Sequence, residues 1–119
     1  MLEKVLIVDD SKFARSSNRK LLESLDHEVI AEATNGLDGI AKFKEFTPSL
    51  IITDIEMPDL DGIGMIKKIR EDDTNVKIVV ISSIVNSQII QEAVKLKAVI
   101  VKKPIKKNRL LNAIKLLDR

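Results

Sequence analysis

Three kinds of chemistry-bearing side chain stand at the ends of apolar runs in this sequence. Asp9 and Asp10 follow Val5-Leu-Ile-Val8, Asp54 closes Leu50-Ile-Ile-Thr-Asp54, Ser82 follows Lys77 to Ile81, and Lys103 comes just after Val99 to Val101. Gathered in one crevice, three carboxylates repel and raise each other's pKa unless a cation joins them. Mg²⁺ is the natural cation, since it takes oxygen ligands, keeps several waters and usually binds one or two carboxylates together with phosphate oxygens. A carboxylate beside Mg²⁺ and an ammonium group can attack a phosphoryl group, the cations offsetting charge on the transferring oxygens. Taken singly, each residue has a plainer reading. An Asp pair after a strand is often a helix cap, Ser82 an ordinary turn residue and Lys103 one more exposed lysine. The chemistry therefore depends on the elements that would place all of them together.

Those elements alternate. Val5–Val8 reads as a buried strand. A helix follows from about Lys12 to Leu25, with Ser11 as its N-cap. Glu28 to Ala31 reads as a second strand, and Thr34-Asn35-Gly36 as a turn into a helix that Thr47-Pro48 ends near Phe46. Leu50–Asp54 is a continuous apolar strand, as expected when both faces are covered. A loop from Ile55 to Gly62 leads to a helix ending near Arg70. Lys77–Ile81 is the fourth strand, roughly Ser87–Leu96 the fourth helix, Val99–Val101 the fifth strand, and about Lys107–Leu117 the last helix. Five strands alternating with five helices predict an α/β fold, a doubly wound parallel sheet with right-handed crossovers. Ligands in such sheets bind beyond the carboxyl ends of the strands, where the winding reverses. Each residue of the opening set falls at such an end.

Composition agrees with a single domain over residues 1–119. Hydrophobic residues make up 45% and charged residues 32%, which excludes a disordered chain, and with aromatics at 3% the core must be Ile, Val and Leu. There is no Cys, so disulfides and thiolate metal sites are excluded. The opening apolar run stops at Asp9-Asp10, too soon for a signal peptide, and no stretch approaches a membrane span, so cytoplasm is the expected location. The net charge of +2 hides an asymmetry: nine basic residues face only Asp118 from Lys95 onward, leaving eleven basic and seventeen acidic before them. This basic end reads as a solvated helix or as a docking surface for an acidic partner. Nucleic acid is disfavoured, because no aromatic interleaves the basic residues. His27, the sole histidine, lies in a helix-to-strand turn and is expected to be solvated.

The sequence resembles the receiver domain of two-component response regulators across essentially its whole length. The resemblance rests on the ordered set Val5-Leu-Ile-Val-Asp-Asp-Ser11, Asn35-Gly36, Ile51-Ile-Thr-Asp-Ile-Glu-Met-Pro58, Asp61-Gly62, Val79-Val-Ile-Ser-Ser83 and Lys103-Pro104. It implies a flavodoxin-like (βα)5 fold with strand order 2-1-3-4-5. It implies Asp54 as phosphoacceptor and Asp9 and Asp10 as the acids that organise Mg²⁺, Asp10 directly, with the backbone carbonyl of Glu56 completing the protein ligands. Ser82 would be the switch hydroxyl and Lys103 the cation on the phosphoryl group. The Lys103-Pro104 bond would be cis. Met57-Pro58 and Gly62 would shape the loop.

The implied partners are a histidine kinase and a downstream protein, with no nucleic acid bound by this chain and a monomeric state. The chain would be a switch that catalyses only its own phosphorylation and dephosphorylation. Asp9-Asp-Ser-Lys-Phe-Ala-Arg15 and Ala31-Glu-Ala-Thr-Asn-Gly36 lean toward stand-alone chemotaxis receivers, hence toward a flagellar motor switch as target. Because the sequence stops just after the last helix, it reads as a stand-alone receiver or as a fragment of a longer regulator. Two departures stand out. Ile100 occupies a position usually aromatic in that family, and Leu96-Lys97-Ala98 replaces a usual Gly-Ala and is one residue short, so an atypical join between fourth helix and fifth strand is expected. Two alternatives remain: an aspartyl-phosphate phosphohydrolase, and a scaffold that binds without phosphorylation. The first normally carries its nucleophile on the first strand with a second acid two residues on, whereas Asp9 and Asp10 are adjacent.

Overall fold

The computed structural model describes residues 2–118. Its strands are β1 (Lys4–Val8), β2 (Glu28–Ala33), β3 (Leu50–Asp54), β4 (Lys77–Ser82) and β5 (Val99–Lys102). Its helices are α1 (Lys12–Ser24), α2 (Gly36–Phe46), α3 (Gly62–Asp72), α4 (Ser87–Lys95) and α5 (Lys107–Leu117), each following its strand. All strand pairs are parallel, in the order β2-β1-β3-β4-β5. The flavodoxin-like expectation is met. β2 runs two residues beyond its predicted end and α3 two beyond Arg70.

The sheet divides the interior in two because successive strand residues face opposite ways. Leu6, Val8, Ile51, Ile78 and Val80 face a core completed by Phe43 of α2, Met65, Ile66 and Ile69 of α3, and Ala93 of α4. Val5, Ile7, Leu50, Ile52 and Val79 face the other, completed by Leu22 of α1 and Leu110 and Ile114 of α5. Every residue of β3 is buried, which is why Leu50, Ile51 and Ile52 are apolar and why the Thr53 hydroxyl, at 0% exposure, is satisfied by donating to Asp54 C=O at 2.8 Å. Side-chain caps start four helices: Ser11, Asn35, Asp61 and Asn86 each accept a backbone N–H from three residues on. No helix among the described residues is long and apolar enough to cross a membrane.

The expectation for His27 is corrected. It is buried, at 7% exposure, and its Nδ1 accepts the backbone N–H of Glu3 at 3.0 Å. Its partner lies 24 residues away, where a reading of the local turn could not find it. Burial lowers the His27 pKa below its ordinary value, with the negative charge of Glu3 the largest opposing influence.

An atypical join between α4 and β5 was expected; what departs from the usual is the residue and not the backbone, since Lys97 holds the position that glycine commonly fills. Lys97 adopts a left-handed φ of 57°, a conformation that usually selects glycine. Around it the chain forms a complete Schellman arrangement, with Lys97 N–H donating to Val94 C=O at 3.1 Å and Ala98 N–H to Ala93 C=O at 2.9 Å. The Lys103-Pro104 peptide is cis, as anticipated.

Candidate functional site

The polar stops that end β1, β3 and β5 meet at the carboxyl edge of the sheet. Carboxylate oxygens of Asp9, Asp10 and Asp54 all lie within 4.8 Å of one another. Asp9 and Asp54 are buried, while Asp10 is exposed. Each oxygen of the Asp54 carboxylate has its own donor: Lys103 Nζ lies 3.1 Å from Oδ2, and the Ile55 backbone N–H donates to Oδ1 at 2.8 Å. Lys103 is aimed here by backbone pairing, because its N–H donates to Ser82 C=O at 2.9 Å and so prolongs the β4–β5 ladder.

Asp9 is fixed from two sides. Its Oδ1 accepts the Ser11 N–H at 2.9 Å, and its backbone carbonyl accepts from Arg15 Nη1 at 2.8 Å. Arg15 is in turn held by Glu32 of β2 at 3.1 Å. Burial raises the Asp9 pKa, opposed by the Ser11 hydrogen bond; the charges of Asp54 and Asp10 raise it further and that of Lys103 lowers it. With Lys103 the lone ammonium bonded to the cluster among the described residues, the set carries excess negative charge and offers only oxygen donors. That donor set fits a hard divalent cation.

The close approach of two loops depends on glycine. A Cβ on Gly62 would stand 2.1 Å from the Asp54 carbonyl oxygen, and one on Gly36 would stand 2.3 Å from that of Leu60. Gly62 N–H also donates to Ile55 C=O at 2.8 Å, folding the β3–α3 loop back against the acid that ends β3.

The structure thus brings Asp9, Asp10, Asp54 and Lys103 together, as the spacing predicted. Ser82 stands at the end of β4 with its hydroxyl engaged in its own loop, donating to Ile84 C=O at 2.7 Å and accepting Ile84 N–H at 3.1 Å. Glu56 follows Asp54 by two residues, and its exposed side chain lies outside the carboxylate cluster. Ile100 is half-buried and packs against the core beneath α4. Arg15 was not among the residues read from the sequence as belonging to the site; its position four residues after the cap Ser11, one helical turn on, is the signal that could have found it. A cavity of about 640 Å³ opens beside the cluster, lined by Asp9, Lys103 and Pro104 and by Phe13, Ala14 and Leu21 of α1.

An acid cluster closed by a lysine, at the switch point of a five-stranded parallel sheet, defines a receiver-type signalling domain. The chain belongs to the response regulator receiver domain family, whose pattern it matches over residues 5–115. Among its relatives are chemotaxis proteins CheY, 37% identical over 115 residues in Thermotoga maritima (96% of both chains) and 36% identical over 115 residues in Bacillus subtilis, with the same coverage. A similar solved structure is the CheX-CheY-BeF3-Mg²⁺ complex from Borrelia burgdorferi, with a TM-score of 0.92 and 27% identity over 98% of this chain and 89% of that one.

Proposed function

We propose that this receiver accepts a phosphoryl group on Asp54 from a histidine kinase, in a Mg²⁺-dependent reaction, and thereby switches a protein-binding surface. The observation that carries this reading is Asp54 itself: a buried carboxylate paired with Lys103 at 3.1 Å and set within 4.8 Å of two further acids. Asp9, Asp10 and the backbone carbonyl of Glu56 are the groups that would hold Mg²⁺, with Asp54 as the remaining protein ligand. The ion supplies charge neutralisation at the phosphoryl oxygens when bound. The presence of BeF3 and Mg²⁺ in the Borrelia complex supports the same chemistry in this chain.

In the transfer, an Asp54 carboxylate oxygen forms the new P–O bond as the P–N bond to the kinase imidazole breaks, the electron pair leaving with the imidazole nitrogen. Lys103 then bonds a phosphoryl oxygen. The Ser82 hydroxyl has one proton, so it donates to a phosphoryl oxygen only by giving up its bond to Ile84 C=O, and phosphorylation therefore competes with the Ser82–Ile84 pair. With Ile100 aliphatic, the signal runs through the Ser82 loop and α4 without a swinging aromatic ring. The chain is then a switch in the cytoplasm acting on a protein target, a flagellar motor component being the candidate, and its only catalysis is on its own phosphate.

The test is Asp54→Asn with acetyl phosphate as donor and Mg²⁺ present. Wild type gains an acid-labile phosphate and the variant gains none. Persistent incorporation at another residue in the variant would overturn the assignment.

A further inference from the structure

Arg70 belongs to neither the acid cluster nor the Ser82 loop, yet its guanidinium is spent on backbone. From α3 its Nε donates to Leu96 C=O at 2.8 Å, its Nη2 to Lys97 C=O at 3.2 Å and its Nη1 to Asp73 C=O at 3.2 Å. The first acceptor is the carbonyl of the α4 C-cap, left without a helical partner, and the second belongs to the residue just beyond it. A planar fork with five donors can bridge such neighbouring carbonyls, whereas a point charge cannot hold the same geometry. Burial lowers the Arg70 pKa from its ordinary value, opposed by the charge of Asp73.

The two ends of α4 are held very differently. At the C-terminal end, Ala93 and Ala98 are buried, Leu96 packs on the core, and the left-handed Lys97 is bracketed by Schellman bonds and by Arg70. Ala93 is the only buried residue of the helix. At the N-terminal end Ile84 and Val85 are exposed, and the chain there is tied by the Ser82–Ile84 pair and the Asn86 cap.

We infer that Arg70 is a positioning residue that fixes the C-terminal end of α4 as a pivot, so that loss of the Ser82–Ile84 bonds moves the N-terminal end alone. This rests on the proposed role of Ser82. The pivot also explains how Lys97 stands where glycine would be easier: the two bonded carbonyls on either side of its backbone hold the left-handed turn. The moving end, not the whole helix, is then what a partner reads.

Amide hydrogen exchange on the full chain tests this, with and without beryllofluoride and Mg²⁺ as a phosphoryl mimic. In wild type, the mimic changes exchange over residues 83–90 and leaves the bonded amides of Leu96, Lys97 and Ala98 unchanged. In Arg70→Ala without ligand, protection at those three amides falls about tenfold while Ile51 to Thr53 in β3 keep theirs, and the mimic's effect spreads to residues 96–98. Adding Lys97→Gly to Arg70→Ala relieves the left-handed strain and keeps the chain folded, without confining the response again. Three results overturn the pivot: a wild-type response as large at 96–98 as at 83–90, ligand-free protection unchanged in Arg70→Ala, or an equal loss across β3. If the mimic alters no amide in wild type, the proposed function fails, and a local ligand-free loss at 96–98 still supports the clamp.

Discussion

His27 shows what one buried side chain implies about solution behaviour. Its Nδ1 is an acceptor for Glu3 N–H, so the ring is neutral in the fold, and protonation at Nδ1 removes that bond. The folded pKa lies below the unfolded value of 6.5. The unfolded chain therefore binds more protons in the interval between the two, and stability rises with pH there. The contribution is complete above the unfolded value and is lost as pH falls through the folded one. Urea midpoints should fall between pH 7 and pH 5 in wild type, and should fall less in His27→Gln; parallel pH profiles in the two proteins would contradict this. At this scale the sequence was legible where a residue's place follows from its strand end, as for Asp9, Asp10, Asp54 and Lys103. It was not legible where the partner is remote. The Glu3–His27 and Arg70–Leu96 contacts span 24 and 26 residues, and nothing in either local pattern points across that distance.

Elements were legible where a strand is an apolar run with a polar stop, as in β1, β4 and β5, and less so in β2, where Glu32 looks like a stop but the strand continues to Ala33. What the pattern could not show is how closely loops approach one another. Gly62 follows the cap Asp61 and reads as loop geometry, yet in the fold it lies directly beneath the backbone of Asp54. Gly62→Ala should force the β3–α3 loop away from Asp54 and cost ~1–3 kcal/mol, as overpacking typically does. Phosphate uptake from acetyl phosphate should slow as well, because the displaced group carries the acceptor. Denaturant unfolding and labelling rate, measured on the same variant, check both; a variant with wild-type stability would show that the loop yields freely. The orientation of Ser82 was similarly hidden. Its place at the end of β4 could be read, but not that its hydroxyl pairs with both backbone groups of Ile84 in its own loop.

Over the whole molecule, the sheet has a chemical edge and a closed one. At the amino edge Lys77 of β4 bonds Glu3 at 2.6 Å and also Asp118 after α5, joining the start of β1, the start of β4 and the end of the last helix. Glu3 is only 3% exposed, so it depends on this partner. Lys77→Met should cost about 3–5 kcal/mol by leaving a buried carboxylate unpaired. Combining it with Glu3→Gln should recover a large part of that loss in thermal or urea unfolding. An additive double variant would mean that the pair is not coupled.

The sheet is also a partition. The side chains packed under α2, α3 and α4 form one cluster and those under α1 and α5 another, with β-strand backbone between them. Because close packing transmits a change of shape to direct neighbours, each layer can be recut without disturbing the other. A lineage can therefore alter what meets the α1 side and what meets the α4 side in separate steps, while the acids at the strand ends, which belong to neither layer, stay where they are.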